Sequence, residues 1–190
     1  MKTTNNIAFK EWAVVMSALG DGRQIIILRK GGIHEKRGGF TVEHREFFLF
    51  PTFFHQQNDQ VVPEARQDLG AAQAEAKPGG VVPIRFYATA ELVAEVDDAA
   101  RIKALSGLHI WTDKTIEDRY EWGCKQGIFL IGVRVHRLPA AQQVPMLESY
   151  GGCKSWVELA QPIPTTGAQP VLDDAAFQSK LDRVRAALGS

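Results

Sequence analysis

Two long runs of alternating side chains constrain this chain more than anything else in it. Pro83 opens the first, Ile84–Val96 (IRFYATAELVAEV), where Ile84, Phe86 and Ala88 alternate with Arg85, Tyr87 and Thr89, and Leu92, Ala94 and Val96 continue on even positions. Such period-two patterning predicts a strand with one face toward a core. The second run, Gln126–Leu138, carries Gly127 and Gly132 as possible bend points. Strands this long in a chain of 190 residues tend to curl, and glycine inside them permits a corner. The expected fold class is therefore α+β, a small curled antiparallel or mixed β-barrel with flanking helices at both chain ends.

The other elements follow from local signals. Asn5 or Asn6 can cap a helix, with Ala8, Trp12, Val15, Met16 and Leu19 on one face and Gly20-Asp21-Gly22 as its stop. A competing reading makes 13–19 a strand and Asp21-Gly22 a hairpin turn. Gln24–Leu28 reads as a buried strand, and Glu46–Phe50 as another, ended by Pro51. Ile33–Arg37 and Phe40–Arg45 form a candidate ribbon about Gly38-Gly39, with a short helical turn at Phe53–Gln57. The Ala-rich segment 63–77 is helix-compatible and reads as an exposed or partly disordered excursion, with 63–80 a candidate docking element for a partner protein. Short helices are expected from Asp97 or Asp98 and from Thr112 or Asp113, and a last short strand at Ser155–Leu159. Residues 1–160 read as one globular domain. Residues 161–190 read as a linker, 161–170, and a terminal helix that Asp173 caps and that packs on the domain through Phe177, Leu181, Val184 and Leu188.

Composition removes several function classes. Lys and Arg number 22, as do Asp and Glu, so bulk charge draws the chain to neither nucleic acid nor anionic membrane, and any attraction must be local. No apolar run approaches the length of a membrane span, and no leader-like apolar stretch opens the chain. Two cysteines, Cys124 and Cys153, form no CxxC pair, and a cytoplasmic protein with reduced thiols is the simple expectation. No metal or cofactor motif is present.

The window 29–56 (RKGGIHEKRGGFTVEHREFFLFPTFFHQ) concentrates glycine, histidine, charge and phenylalanine. Arg29, Lys30, Lys36 and Arg37 can position phosphate, and Gly31-Gly32 allows backbone N–H groups to approach an anion. If Gly38-Gly39 is a two-residue turn, His34 faces Glu43, with His44 beside them. Such a His–carboxylate pair can bind a metal with His55 as third ligand, or act as general base and orienter in a small-molecule hydrolase or transferase. It suits a solvated hairpin with cross-strand charge pairs equally well. Phe47 and Phe48 must point to opposite faces. His55 and Gln56 have the hydrogen-bond repertoire to read a base edge. A second group, His109, Trp111, Lys154 and Trp156, can supply stacking surface or simply plug a core. Cys153 is a nucleophile only with a histidine beside it. The one Glu-x-Lys, Glu75-Ala76-Lys77, lies in the Ala-rich segment, away from any strand where nuclease carboxylates belong. The leading expectation is a binding module for nucleic acid or a nucleotide-like ligand, without a complete catalytic motif. Residues 29–56 form one wall and 109–122 with 150–156 the other.

Two resemblances sharpen this. The runs KEWAVVMSALG, ILRKGGI, EFFLFPTFFHQ, LHIWT and YGGCKSW resemble the uncharacterised bacterial and archaeal family called domain of unknown function eighteen-oh-two, over roughly residues 8–160. Such domains occur beside restriction-endonuclease domains, which implies a role in restriction-modification or other nucleic-acid metabolism. Trp12-Ala13 followed by Gly22–Arg29 is similar to the opening of ASCH domains, relatives of the PUA barrels, which carry Gly-x-Lys-x-x-Glu-x-Arg. Gly22 and Arg29 match that pattern, whereas Gln24 stands in place of its Lys and Ile27 in place of its Glu.

Overall fold

A computed structural model describes residues 1–30, 42–53, 57–75, 80–123, 125–152 and 154–189, with side chains also left aside for 72–75. The chain begins as a strand, β1 (Thr4–Trp12), and only then forms α1 (Ala13–Gly20). The expected N-terminal helix is thus half strand, and the competing reading of 13–19 as a strand fails too. Asn5 explains the misreading. Its side chain accepts from the backbone N–H of Asn6 (2.9 Å) and Ile7 (3.2 Å), which is helix-cap chemistry put to use at a bulge in a strand. Helix α1 buries Val14, Val15, Met16, Ala18 and Leu19, so it has no polar stripe.

The sheet continues with β2 (Ile26–Arg29), β3 (Glu46–Thr52), β4 (Val81–Val96), β5 (Ile128–Pro145), β6 (Trp156–Pro164) and β7 (Gln169–Pro170). Between these lie α2 (Arg66–Glu75), α3 (Ala99–Ala104) and α4 (Asp113–Glu121), and α5 (Asp174–Leu188) ends the chain. Strand order is β2-β5-β4-β3-β1-β6, with β7 beside β5. All pairings are antiparallel except β1 with β3. Pro51 does not stop β3, because it pairs with Glu11 near the strand's end. The ribbon of β4 and β5 runs further than its alternation suggests, to Val81 opposite Pro145. The region read as linker carries β6 through Pro164 and then β7.

The fold is α+β with a mixed, curled sheet. Strand β2 stands at the far end of the hydrogen-bond order from β1 and β6, yet Arg29 donates to Ser155 Oγ (2.9 Å) and lies over the Phe9 ring. Only a strongly coiled sheet brings them together. The expected closure into a barrel is absent: no pairing joins β2 to β6 among the described residues. Gly132 marks a bend, since Leu92 packs where its Cβ would stand and the β4–β5 register shifts there.

Both faces are covered. Phe9, Phe47 and Leu49 join the larger core beneath the helices, and Ala8, Phe48 and Phe50 join a second core with Tyr87, Leu138, Tyr150 and Leu159. Phe47 and Phe48 thus point opposite ways, as a pleated strand requires. Each buried ring contributes roughly 1.5–3 kcal/mol of transfer free energy. The start of the Ala-rich segment is no free excursion: Val61 and Ala65 before α2, and Leu69 within it, are fully buried. No described helix is long and apolar enough to cross a membrane.

Candidate functional site

The parallel pairing of β1 with β3 sets their C-terminal ends side by side, and Thr52 Oγ1 donates to the Glu11 carbonyl (3.1 Å). Glu11 follows Phe9 by two residues and therefore faces the same core. It is 3% exposed, and its Oε1 accepts from the Trp12 N–H at 2.7 Å. Burial pushes its carboxyl up from the usual carboxylate range, against the pull of Arg29, the Trp12 N–H and Arg119.

Two guanidiniums serve this one buried carboxylate, and each rests on aromatic rings. Arg29 lies 5.1 Å from the centre of Phe9. Arg119, from α4, lies 3.9 Å from the centre of Trp111 and 5.3 Å from that of Trp12. The two indoles meet edge-on at 4.9 Å. Burial lowers the Arg119 guanidinium to about 10, with Glu11 opposing that shift and Arg29 adding to it.

Arg119 also lines an open cleft of about 420 Å³, together with Lys30, Gln57, Asp59, Gln60, Lys114, Thr115, Asp118 and Trp122. Its walls come from pairing of the backbone. Val62 N donates to Ile110 O (2.8 Å) and Thr112 N to Gln60 O (3.0 Å), which fastens 57–62 to the start of α4. Lys30 reaches the other end of that helix, donating to the carbonyls of Tyr120 (3.0 Å) and Lys125 (2.6 Å). Burial, and then Lys125, lower the Lys30 ammonium below its usual value. Lys114 pairs with Asp118 at 2.8 Å. Trp122 stands 56% exposed at the cleft.

The expected site residues divide accordingly. Arg29 and Lys30 enter the cluster and the cleft. Trp111 joins them as a buried support for Arg119 and presents no open stacking face, which corrects its expected role. Trp156 is packed edge-on against Phe9 (4.8 Å), Phe47 (5.1 Å) and His44 (5.1 Å). Lys154 is exposed and turned to its own loop, donating to Ser149 O (2.7 Å). His109 is buried at 7% exposure, its Nδ1 has no hydrogen-bond partner, and burial lowers its imidazole to about 4. It is a neutral core histidine. His34, Lys36, Arg37, His55 and Gln56 lie outside the described residues, as do Cys124, Cys153 and the turn about Gly38-Gly39. Glu43 is exposed. No cluster of three metal-ligating side chains occurs among the described residues.

Glu11, Trp12 and Arg119 are the members to which sequence reasoning gave no role of their own, whereas Trp122 ends the expected wall 109–122 and does line the cleft. Glu11 left one trace, a carboxylate two residues after the buried Phe9 in the same strand. Arg119 left none, because α4 (DKTIEDRYE) reads as a solvated charged helix.

The family model described as Domain of unknown function (DUF1802) matches residues 8–183. The chain belongs to this family. No curated protein matches it. Among solved structures, it is similar to the ASCH crystal structure from Zymomonas mobilis, at 11% identity and a TM-score of 0.45, covering 93% of this chain and 92% of that one. A serine-to-alanine mutant of that Zymomonas mobilis protein is similar at 10% identity and a TM-score of 0.43, covering 93% of this chain and 94% of the other.

Proposed function

We propose that this DUF1802 chain is a binding module for nucleic acid or a nucleotide-like ligand, seated in the cleft beside α4. One observation supports this above the others: Lys30, Lys114, Arg119 and the exposed indole of Trp122 face one space of about 420 Å³. Cations that meet phosphate beside an aromatic face that stacks on a base are the two components of sequence-tolerant single-strand binding. The buried Glu11 and the Trp111 ring hold Arg119 in one orientation before any ligand arrives, which lowers the ordering cost of binding. The family resemblance extends the reading to an accessory role in restriction-modification or other nucleic-acid metabolism, in the cytoplasm.

The test is titration of the protein with fluorescent single-stranded RNA and DNA at low ionic strength. Log affinity should fall linearly with log salt, by just under one unit of slope per phosphate contact. Trp122→Ala should weaken binding about equally at every salt concentration, because it removes stacking and no charge. Absence of binding to both polymers at low salt overturns the nucleic-acid form of the proposal, and the same absence for mononucleotides overturns it entirely.

A further inference from the structure

Two carboxylates line the cleft, and they are used differently. Asp118 accepts from Lys114 Nζ with both oxygens, at 3.0 Å and 2.8 Å. Asp59 belongs to the short 3-10 turn Asn58–Gln60, which Thr112 fastens to α4 by its hydroxyl on the Asp59 carbonyl (3.4 Å) and its N–H on the Gln60 carbonyl (3.0 Å). The Asp59 side chain is exposed, acts on Lys114 through space, and accepts no hydrogen bond from any described residue. Gln60, the next residue, is oriented by its own turn: its Oε1 accepts the Gln57 N–H at 3.1 Å. Only the oxygen end of a carboxamide can accept from an N–H, so Nε2 is the other end, and it keeps two N–H donors without a partner among the described residues. Adjacent positions of one turn thus bring a pair of acceptor oxygens and an amide donor to the cleft, which the exposed Trp122 indole also lines. The neighbouring groups are engaged: Thr115 Oγ1 meets Thr112 Oγ1 (2.8 Å), and Lys30 Nζ sits on two carbonyls.

We infer that Asp59 and Gln60 are the specificity-determining residues of the cleft and that the base they select is guanine, in a free nucleotide or within a single strand. This rests on the cleft being the ligand site, as proposed above. Guanine presents two N–H donors, N1–H and the N2 amine, beside the O6 acceptor on one edge. The Asp59 carboxylate takes the two donors as a bidentate, charge-assisted pair, and the Gln60 amide donates to O6. Adenine and cytosine place one amine beside a bare ring nitrogen, which leaves an Asp59 oxygen unfilled. Uracil places one N–H between two carbonyls, so a carbonyl oxygen meets a carboxylate oxygen. Stacking on Trp122 adds affinity for every base and discriminates little, so the choice belongs to the turn. Arg119, which lies on Trp111 and donates no hydrogen bond to any described residue, meets the phosphate.

The experiment titrates the protein at low ionic strength with the monophosphates of guanosine, inosine, xanthosine and adenosine, and with short single-stranded oligouridines carrying one central guanosine, inosine or adenosine. Inosine lacks only the N2 amine, so wild-type protein should bind the guanosine form roughly tenfold more tightly, the effect of one hydrogen bond to a charged group. The adenosine form should be weaker again. Selection among the monophosphates identifies a free nucleotide as sufficient, and selection confined to the oligouridines identifies guanine within a strand. Asp59→Asn exchanges one acceptor oxygen for an amide donor and should turn the preference from guanosine monophosphate to the xanthosine form, which has a carbonyl in place of the amine. If neither the monophosphates nor the oligouridines bind, the cleft is not the site and the functional proposal fails with the inference. If either series binds and guanosine is nowhere preferred to inosine and adenosine, the inference is overturned and the binding proposal stands. An Asp59→Asn protein that weakens all four monophosphates alike also overturns it. The wild-type arm needs no variant to fold, and urea unfolding of Asp59→Asn identifies a folding defect separately.

Discussion

The Arg119 guanidinium lies 3.9 Å from the centre of the Trp111 ring and holds a planar stack that an ammonium cannot copy. Arg119→Lys keeps the charge and loses the stack. We expect a loss of about 0.5–2 kcal/mol in stability, read by urea denaturation, with a larger proportional loss of ligand affinity. An Arg119→Lys protein that binds and unfolds like wild type would show the stack to be incidental.

Glu11 predicts a dependence on pH. Its carboxyl is raised in the folded protein, so between its ordinary value and the raised one the native state holds the proton that the unfolded chain has released. Stability from this group is fully present below the ordinary carboxylate value and is lost as pH rises through the raised one. In Glu11→Gln that component is gone. The stability of wild type minus that of the variant should therefore decline as pH is raised through this window, and a flat difference would contradict the burial seen here.

His109 acts in the opposite sense. Its imidazole is lowered to about 4, while the unfolded chain takes up a proton near the ordinary histidine value. Stability from His109 is present above about pH 6.5 and lost as pH falls toward 4, by up to about 3 kcal/mol. Titration of the His109 ring by NMR checks this directly, and a midpoint above 6 would exclude a neutral buried ring.

A Cβ at Gly20 would overlap the tip of the Phe86 ring, which Arg137 covers from above at 4.9 Å. Gly20→Ala should destabilise by roughly 1–3 kcal/mol through overpacking, although alanine favours the helix. Thermal unfolding measures it.

We propose that α5 belongs to the same folding unit as the rest of the chain. Phe177, Leu181, Val184 and Leu188 sit in the larger core with Val133 and Ile25. Deletion of residues 171–190 should abolish a single cooperative unfolding transition or lower its midpoint sharply. A truncated chain with an unchanged midpoint would make α5 an appendage.

What sequence revealed depends on how each residue is used. Strand β4 is legible because one of its faces is more buried than the other, which preserves alternation. Strand β1 is not, because Ala8 and Phe9 are buried on opposite faces and the pattern vanishes. The stripe of α5 is legible because its outer face meets water, whereas α1 has almost no outer face. At the site, Arg29 and Lys30 stand out through their neighbouring glycines. Arg119 depends on a partner 108 positions earlier in the chain, Glu11, and no local window holds both.

The place of β1 has a consequence for how the protein is made. Its hydrogen-bonding neighbours are β3 and β6, so β1 cannot be flanked on both sides until residue 164 has been synthesised. From the synthesis of β1 to that of β6 the edge of β1 that β6 will cover stays open to other chains, a vulnerability of long-range pairing. Slow elongation before residue 156 should therefore favour aggregation of nascent chains, and slow elongation after residue 164 should not.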